Sequence, residues 1–555
     1  MSKAVKAAGL GLVIFVTVWV VTLWQWYRSQ QPVSSEEVAA QLILLPVGLT
    51  VVALLAWWGA ARLRRWSAKP VQVAPAQVSA SASGASTAIT AQPVAAVPLG
   101  LVSILAEALA LPNGDDPELA WSALRSGQVR PGLDPHLLDA DGLPVFSSRM
   151  PELSTQDWLD AHAEVTDRTL PESLLRAMAL VEAPLHRLLS ALPVDGVTGG
   201  HGLAGDTMSA DAGKASGPAF LSGVGQAGAR EQASRRRDVA PALDIQVWVP
   251  ADWPPEHHAL FIGWLRQQAG MALDWARASG SGEPRWSLEP LDAPEAGWDR
   301  LLPHLNDLHA DTRPRLLLVL AAHSLVDEAC VTGLQARGEL FTTQHQGGRV
   351  PGEGAAGLLL ANAAMASRGA DEGQHPWLGM PGSARRQRSA ERAGRPGADE
   401  FTAAMQQVLV PWAQWPESQA AQGGWWCVSD ADHRPSRTSE LFEAFQALQP
   451  DGDAMQAVLR LGDAWGDLGI ARALVPVAMA ASMVRQGLKP EDAAAAAAVP
   501  ALVGLLQGNH RRWAIPVWPA GVGREALARL NPSGAFAPPA PSSSAAAAVA
   551  EPLAA

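Results

Sequence analysis

Two apolar runs near the start constrain this chain more than any other feature. Residues 7–27, AAGLGLVIFVTVWVVTLWQWY, and residues 38–61, VAAQLILLPVGLTVVALLAWWGAA, contain no charged side chain. As helices rising 1.5 Å per residue, each is long enough to cross a hydrocarbon core of roughly 30 Å. Trp24, Trp26 and Tyr27 close the first run, and Trp57, Trp58 and Trp66 flank the end of the second. Aromatic rings favour that headgroup depth. Pro46 falls inside the second run, where it kinks a membrane helix rather than abolishing it. Lys3 and Lys6 precede the first run, Arg62, Arg64, Arg65 and Lys69 follow the second, and the loop RSQQPVSSEE between them has one arginine and two glutamates. That distribution places both ends on the cytoplasmic side. A cleavable signal peptide needs small residues after the first run, and WQWYRSQQ offers none. The expectation is a transmembrane hairpin over residues 1–66, with the lipid bilayer as its partner.

The rest of the chain is long enough for a large core. The protein has 555 residues, 48% hydrophobic and 17% charged, so more than one ordinary domain's worth of apolar surface can be buried. A net charge of −12 argues against nucleic acid, whose phosphates call for a dense basic face. The cysteines are Cys330 and Cys427; so few exclude a disulfide framework and a cysteine-built zinc site.

Composition divides the remainder. Residues 67–98 are rich in Ala, Ser, Pro and Val and read as a flexible linker. Residues 99–198 read as a mixed helical part, with a helix in Pro171–Leu192 interrupted by Pro184. Residues 199–239 are Gly-, Ala- and Ser-rich and read as a disordered insertion, and residues 531–555 as a disordered tail. Between them, strands alternate with helices: Leu243–Trp253, a helical pattern from His257, the continuous apolar run Arg313–Ser324, then Ala355–Ala366. After a loop over 371–398 come a helix from Asp399, a strand in GGWWCVSDAD, and a long helix in GIARALVPVAMAASMVRQG that Pro476 is expected to perturb. Alternation of this kind implies an α/β domain with a largely parallel sheet.

Motifs for common chemistries are thin. GKAS at 213–216 lacks the glycine and the hydroxyl residue of a phosphate loop, since Met208 and Ala215 stand there. His257 and His258 are adjacent and His304 and His309 are five apart, neither a metal-ligand spacing on a helix, so no metal and no cofactor is expected. Asp463 and Asp467 either pair on a cation or face the positive end of a helix dipole. The basic clusters Arg385–Arg388 and Arg235–Arg237 read as solvated loop charges or as contacts to anionic lipid headgroups. The turn GRVPGEGAAGLLLAN, residues 348–362, runs into an apolar strand rather than a helix, which weighs against a phosphate cradle. Gly352 and Gly354 are expected to take backbone angles closed to other residues, Ala355, Ala356 and Gly357 to allow close packing, and Glu353 to cap nearby amides.

Taken in order, these pieces resemble the β-ketoacyl synthases of the thiolase-like superfamily, over about residues 241–521. The likeness is carried by the GEGAA turn at Gly352–Ala356, by the strand in WWCVSDAD, and by the Gly-rich turn GDAWGDLGIA with Gly466 and Gly469. It implies a thiolase-like layered αβαβα domain of two similar halves, residues 240–370 and 399–530, and a homodimer through the first. It also implies a nucleophilic cysteine, two histidines and a lysine. No cysteine precedes Cys330, Asp430 falls nearest the first histidine's place with His433 three residues on, Trp465 and Gly466 occupy the neighbourhood of the second, and the lysine's place near Arg460 holds no lysine.

The expectation is therefore a protein of the bacterial inner membrane, with both termini and the body cytoplasmic, acting as a binding or scaffolding module for another protein or an acyl-thioester. Two alternatives stay open. One is an acyl-thioester enzyme with displaced groups, for which Cys427, His433 and Asp430 are the candidates. The other is a membrane-tethered adaptor of a protein secretion system.

Overall fold

The computed structural model describes residues 100–193 and 240–523, apart from breaks at 113, 115, 166, 168, 369–373, 392–396, 414–423 and 489–498. The expected membrane hairpin, linker, insertion and tail lie outside the described residues. Among the described residues, no helix is long and apolar enough to cross a membrane.

The first half of the body contains strands β1 (Leu101–Ala110), β2 (Gly132–Leu138), β3 (Pro144–Ser147), β4 (Ala242–Pro250), β5 (Arg285–Leu291), β6 (Arg315–Ser324) and β7 (Glu353–Ala361). Its helices are α1 (Pro117–Arg125), α2 (Thr155–Ala161), α3 (Glu172–Ser190), α4 (Pro255–Gln268), α5 (Gly270–Ala278), α6 (Ala296–Ala310), α7 (Glu328–Ala336) and α8 (Ala363–Ala366). The second half contains β8 (Trp377–Gly379), β9 (Gly382–Arg385), β10 (Trp426–Ser429), β11 (Val458–Arg460), β12 (Ala501–Leu505) and β13 (Arg511–Trp518). Its helices are α9 (Asp399–Ala413), α10 (Pro435–Leu448), α11 (Ala454–Ala457), α12 (Leu461–Trp465) and α13 (Val475–Arg485), the last preceded by a 3-10 turn, Gly469–Ala473.

One mixed sheet runs through both halves in the order β11-β10-β12-β13-β8-β1-β7-β6-β4-β5, with β9 paired to β13. The halves repeat each other. With β2, β3 and β9 left aside and the rest numbered by their order within each half, the strands run 3-2-4-5-1 from either outer edge to the middle. In each half the first two pairings from the edge are parallel and the next two antiparallel. The two first strands, β1 and β8, pair antiparallel at the centre.

Alternation of side chains explains the layering. Leu316, Leu318 and Leu320 of β6 enter a core with α3, α4 and α5, whereas Leu317, Val319 and Ala321 enter a second core with α6 and α13. In the other half, Trp426 and Val428 of β10 face the core of α6 and α13, while Cys427 faces a third core with α9 and α10. Strands covered on both faces must be apolar at every position, which is why Arg313–Ser324 reads as a continuous apolar run. Three apolar cores thus alternate with the two half-sheets.

Local differences from the sequence reading have simple causes. Pro476 stands in the first turn of α13, where a missing N–H costs nothing, so it starts that helix instead of perturbing it. Pro184 lies within a continuous α3. The helical pattern from His257 divides at Ala269 into α4 and α5. β1 comes from the stretch read as mixed helical, yet it lies mid-sheet. Its alanines blur the strand pattern, and its Glu107 is held by Arg485 at 2.7 Å.

Candidate functional site

The two glycine turns that carry the sequence resemblance dock on each other. Gly352 N–H donates to the Asp467 carbonyl at 3.0 Å, and Asp467 N–H donates to the Val350 carbonyl at 2.8 Å. Neither Gly352 nor Gly354 has a positive φ. Their requirement is space: a Cβ at Gly352 would strike the Trp465 carbonyl, and one at Gly354 would crowd Leu111 and the Ala110 carbonyl. Backbone angles closed to other residues occur instead at Gly466 (φ 65°) and Gly469 (φ 55°). Gly357 admits Leu188 of α3 against β7, in keeping with the close packing expected there.

Glu353 does more than cap amides. Fully buried, it accepts from Met150 N at 2.7 Å, from Ser324 Oγ at 2.9 Å and from the Arg176 guanidinium, whose Nε is 2.6 Å away. A second network extends this one. Asp134 accepts from Ser147 Oγ at 2.6 Å and Arg149 Nε at 2.8 Å, and Arg149 reaches the Val326 carbonyl.

Where the parallel strands of both halves end, side chains from distant parts of the chain converge on Arg472. This residue lies in the 3-10 turn and is buried. Its Nη1 contacts Asp467 Oδ1 at 3.2 Å and Gln507 Oε1 at 2.9 Å; its Nη2 meets Glu295 Oε2 at 3.3 Å; its Nε stands 4.0 Å from Asp430 Oδ2. Glu295 comes from the N-cap position of α6, Asp430 from the end of β10, and Gln507 from the segment after β12. Asp430 also accepts from Leu506 N at 2.6 Å and Gln507 N at 3.3 Å, and Arg349 makes a close ion pair with Asp467. His323, at the end of β6, packs on Gly469, and its Nδ1 accepts from Ile470 N at 3.2 Å.

Burial and charge set the protonation states. Burial raises the Asp430 carboxyl to about 6, only partly offset by Arg472 and the amide donors. Burial works against the charge on Asp467 too, but Arg349 and Arg472 hold its carboxyl well below the usual range. Burial also opposes the charge on Arg472, yet Asp467, Glu295 and Asp430 raise its basicity further. His323 is depressed to about 4 by burial and is neutral near pH 7. The result is a closed ion cluster with one carboxylate, Asp430, that exchanges a proton close to neutrality.

The candidate residues do not assemble into a reactive set. The Cys427 thiol lies in the core with α9 and α10 and is pushed up to about 12 by burial. Cys330 sits in the first turn of α7, its thiol raised by burial and by Asp327. His433 rests edge-on to Phe341 at 5.0 Å, with Nε2 3.2 Å from the Gln346 carbonyl. Of the three candidates, Asp430 alone joins the cluster. Asp463 pairs with Arg460 at 2.9 Å and Asp467 with arginines, so the two do not share a cation. Among the described residues, no group of three or more His, Cys, Asp or Glu is placed to hold a metal. Arg386, read as a solvated loop charge, is buried against Glu440 at 2.8 Å. Sequence reasoning missed Arg472, Glu295, Gln507 and His323. The available signal was the lone Arg472 in an otherwise apolar stretch, since a buried cation demands carboxylates from elsewhere.

No protein-family model matches the chain, and no curated protein does. It is similar to solved ketosynthase structures. One is the ishigamide ketosynthase/chain length factor, at 12% identity, covering 76% of this chain and 100% of that one, with a TM-score of 0.45. Another is the ketosynthase from module 6 of the bacillaene synthase of Bacillus subtilis 168, at 11% identity, covering 78% and 77%, with a TM-score of 0.44. A β-ketoacyl synthase from Burkholderia phymatum STM815 matches at 14% identity, covering 76% and 99%, with a TM-score of 0.42. The doubled strand order, with helical cores between and outside the half-sheets, is the arrangement the GEGAA resemblance implies.

The doubled αβαβα layering is the thiolase-like architecture that the sequence resemblance implies.

The sequence resemblance puts Asp430 nearest the position where a first histidine is expected. It puts Trp465 and Gly466 in the neighbourhood of the second, and Asp467 directly follows them. What gathers there is a guanidinium ringed by carboxylates. Such a centre can bind and orient charge.

Proposed function

We propose that this protein is a membrane-anchored binding or scaffolding module whose ketosynthase-like body does not form carbon–carbon bonds. The reading rests on one observation: Asp430, Asp467, Glu295 and Arg472 are ion-paired at the ends of the strands, where the family resemblance calls for an activated thiol and imidazoles. The bilayer anchor is proposed from residues 7–27 and 38–61, with the body on the cytoplasmic face of a bacterial inner membrane and an acyl-thioester or another protein as its partner. The direct test is to incubate the full chain with short- and long-chain acyl-thioesters at pH 8 and record its intact mass. No covalent addition is expected, because both thiols titrate well above the usual cysteine range. A stable acyl adduct on Cys330 or Cys427 would overturn the proposal and restore the acyl-transfer alternative.

A further inference from the structure

Apart from the Arg472 centre, four buried arginines gather around the start of α10: Arg386, Arg434, Arg437 and Arg512. The carboxylates opposing them differ sharply in exposure. Glu440, fully buried on α10, takes Arg512 at 2.7 Å and Arg386 at 2.8 Å. Asp432, also buried, takes Arg434 at 2.8 Å, and Glu400 lies 3.6 Å from Arg386. Glu391 is different. Its side chain is 45% exposed, yet its Oε1 alone holds both Arg434 Nη1 and Arg437 Nη2, each at 2.7 Å. Arg437 is fully buried, and its other partners are neutral: Asn509 Oδ1 at 2.9 Å, the Gln507 carbonyl at 3.1 Å and Ser436 Oγ at 3.1 Å. Its Nε is buried with no hydrogen-bond partner among the described residues. The helix beginning here has no acidic residue in its first turn, and its N-cap, Arg434, makes no side-chain cap.

A buried guanidinium without adequate counter-charge is strongly unfavourable, and a helix start adds further attraction for an anion. One oxygen of an exposed glutamate serves this position incompletely. A group with several oxygens would satisfy both guanidinium forks more fully. We propose that Arg434, Arg437, Asn509 and the start of α10 form a binding site for the oxyanion group of a ligand, a carboxylate or a phosphate, which displaces the Glu391 carboxylate. The site touches the central cluster through Gln507, whose carbonyl takes Arg437 and whose side chain takes Arg472. It goes beyond the loss of condensation chemistry and stands whether or not the chain retains catalysis.

The test uses the full chain at fixed ionic strength in chloride. Inorganic phosphate and, separately, acetate are titrated into the wild type, Glu391→Gln and Glu391→Asp, with binding read by calorimetry. Removing the internal carboxylate should tighten phosphate binding at least about tenfold in Glu391→Gln, and Glu391→Asp should bind more tightly than the wild type because its shorter arm retracts. Adding Arg437→Gln to Glu391→Gln should abolish the gain. Acetate matching phosphate would point to a carboxylate ligand, and phosphate alone to a phosphate ligand. Equal affinity of the wild type and both Glu391 variants, or no binding in any of them, overturns the proposal. Should Glu391→Gln fold poorly, rescue of its thermal midpoint by phosphate supports the site, and failure of both rescue and the Glu391→Asp gain refutes it.

Discussion

Replacing Asp430 by asparagine should make the protein more stable at pH 8 and leave it nearly unchanged at pH 4. The native carboxyl is raised to about 6 from an ordinary value of 3.8, and Asp430 is 4% exposed, so solvent screening removes little of the effect. Because the folded state holds its proton more tightly than the unfolded state, wild-type stability falls as pH rises from about 4 to about 6, and the cost is complete above 6. At 1.36 kcal/mol per pH unit, that cost is about 3 kcal/mol. Asparagine keeps an oxygen for Leu506 N and Gln507 N while removing the ionisation. Arg472 keeps Asp467 and Glu295. Urea midpoints of the full chain, read by tryptophan fluorescence at pH 4, 6 and 8, measure the difference. The gap between Asp430→Asn and the wild type should open across that range in favour of the variant. A gap of constant size, or a variant weaker than the wild type at pH 8, would refute the assignment of Asp430 as a buried, weakly compensated carboxylate.

The same unfolding assay covers two further substitutions. Glu353→Gln leaves the guanidinium of Arg176, which is 3% exposed, with only the half-exposed Glu172 carboxylate at 3.6 Å, and should cost about 3–5 kcal/mol; a loss below about 1 kcal/mol would show that the pair is not buried in solution. Gly469→Ala forces a side chain into a φ of 55° and against His323, for a loss of about 1–3 kcal/mol from the backbone alone. Adding His323→Ala should return part of the collision energy, so strictly additive losses would count against the contact.

What the sequence discloses about this fold follows its apolar patterning. Arg313–Ser324 is legible because β6 is covered on both faces, and the GEGAA turn with the glycine after it because close packing leaves no room for a Cβ at 352 and 357. β13 escapes the same reading because Arg512 lies inside it, fully buried against Glu440, and a charge in a strand looks like a loop until its partner 72 positions away is known. The site shows the same limit. Asp430 could be located by its place after a strand. Glu295, 177 positions before Arg472, and Gln507, 35 after it, carry no local signal, since only the fold brings them together.

The pairing of β1 with β7 and β8 also bears on how the chain is made. β1 ends at Ala110, but its sheet neighbours begin at Glu353 and Trp377. At the 5–20 residues per second of synthesis, roughly 10 to 50 s separate their emergence from the ribosome. For that interval an apolar strand destined for the centre of the sheet has both hydrogen-bonding edges unmet and open to wrong pairing.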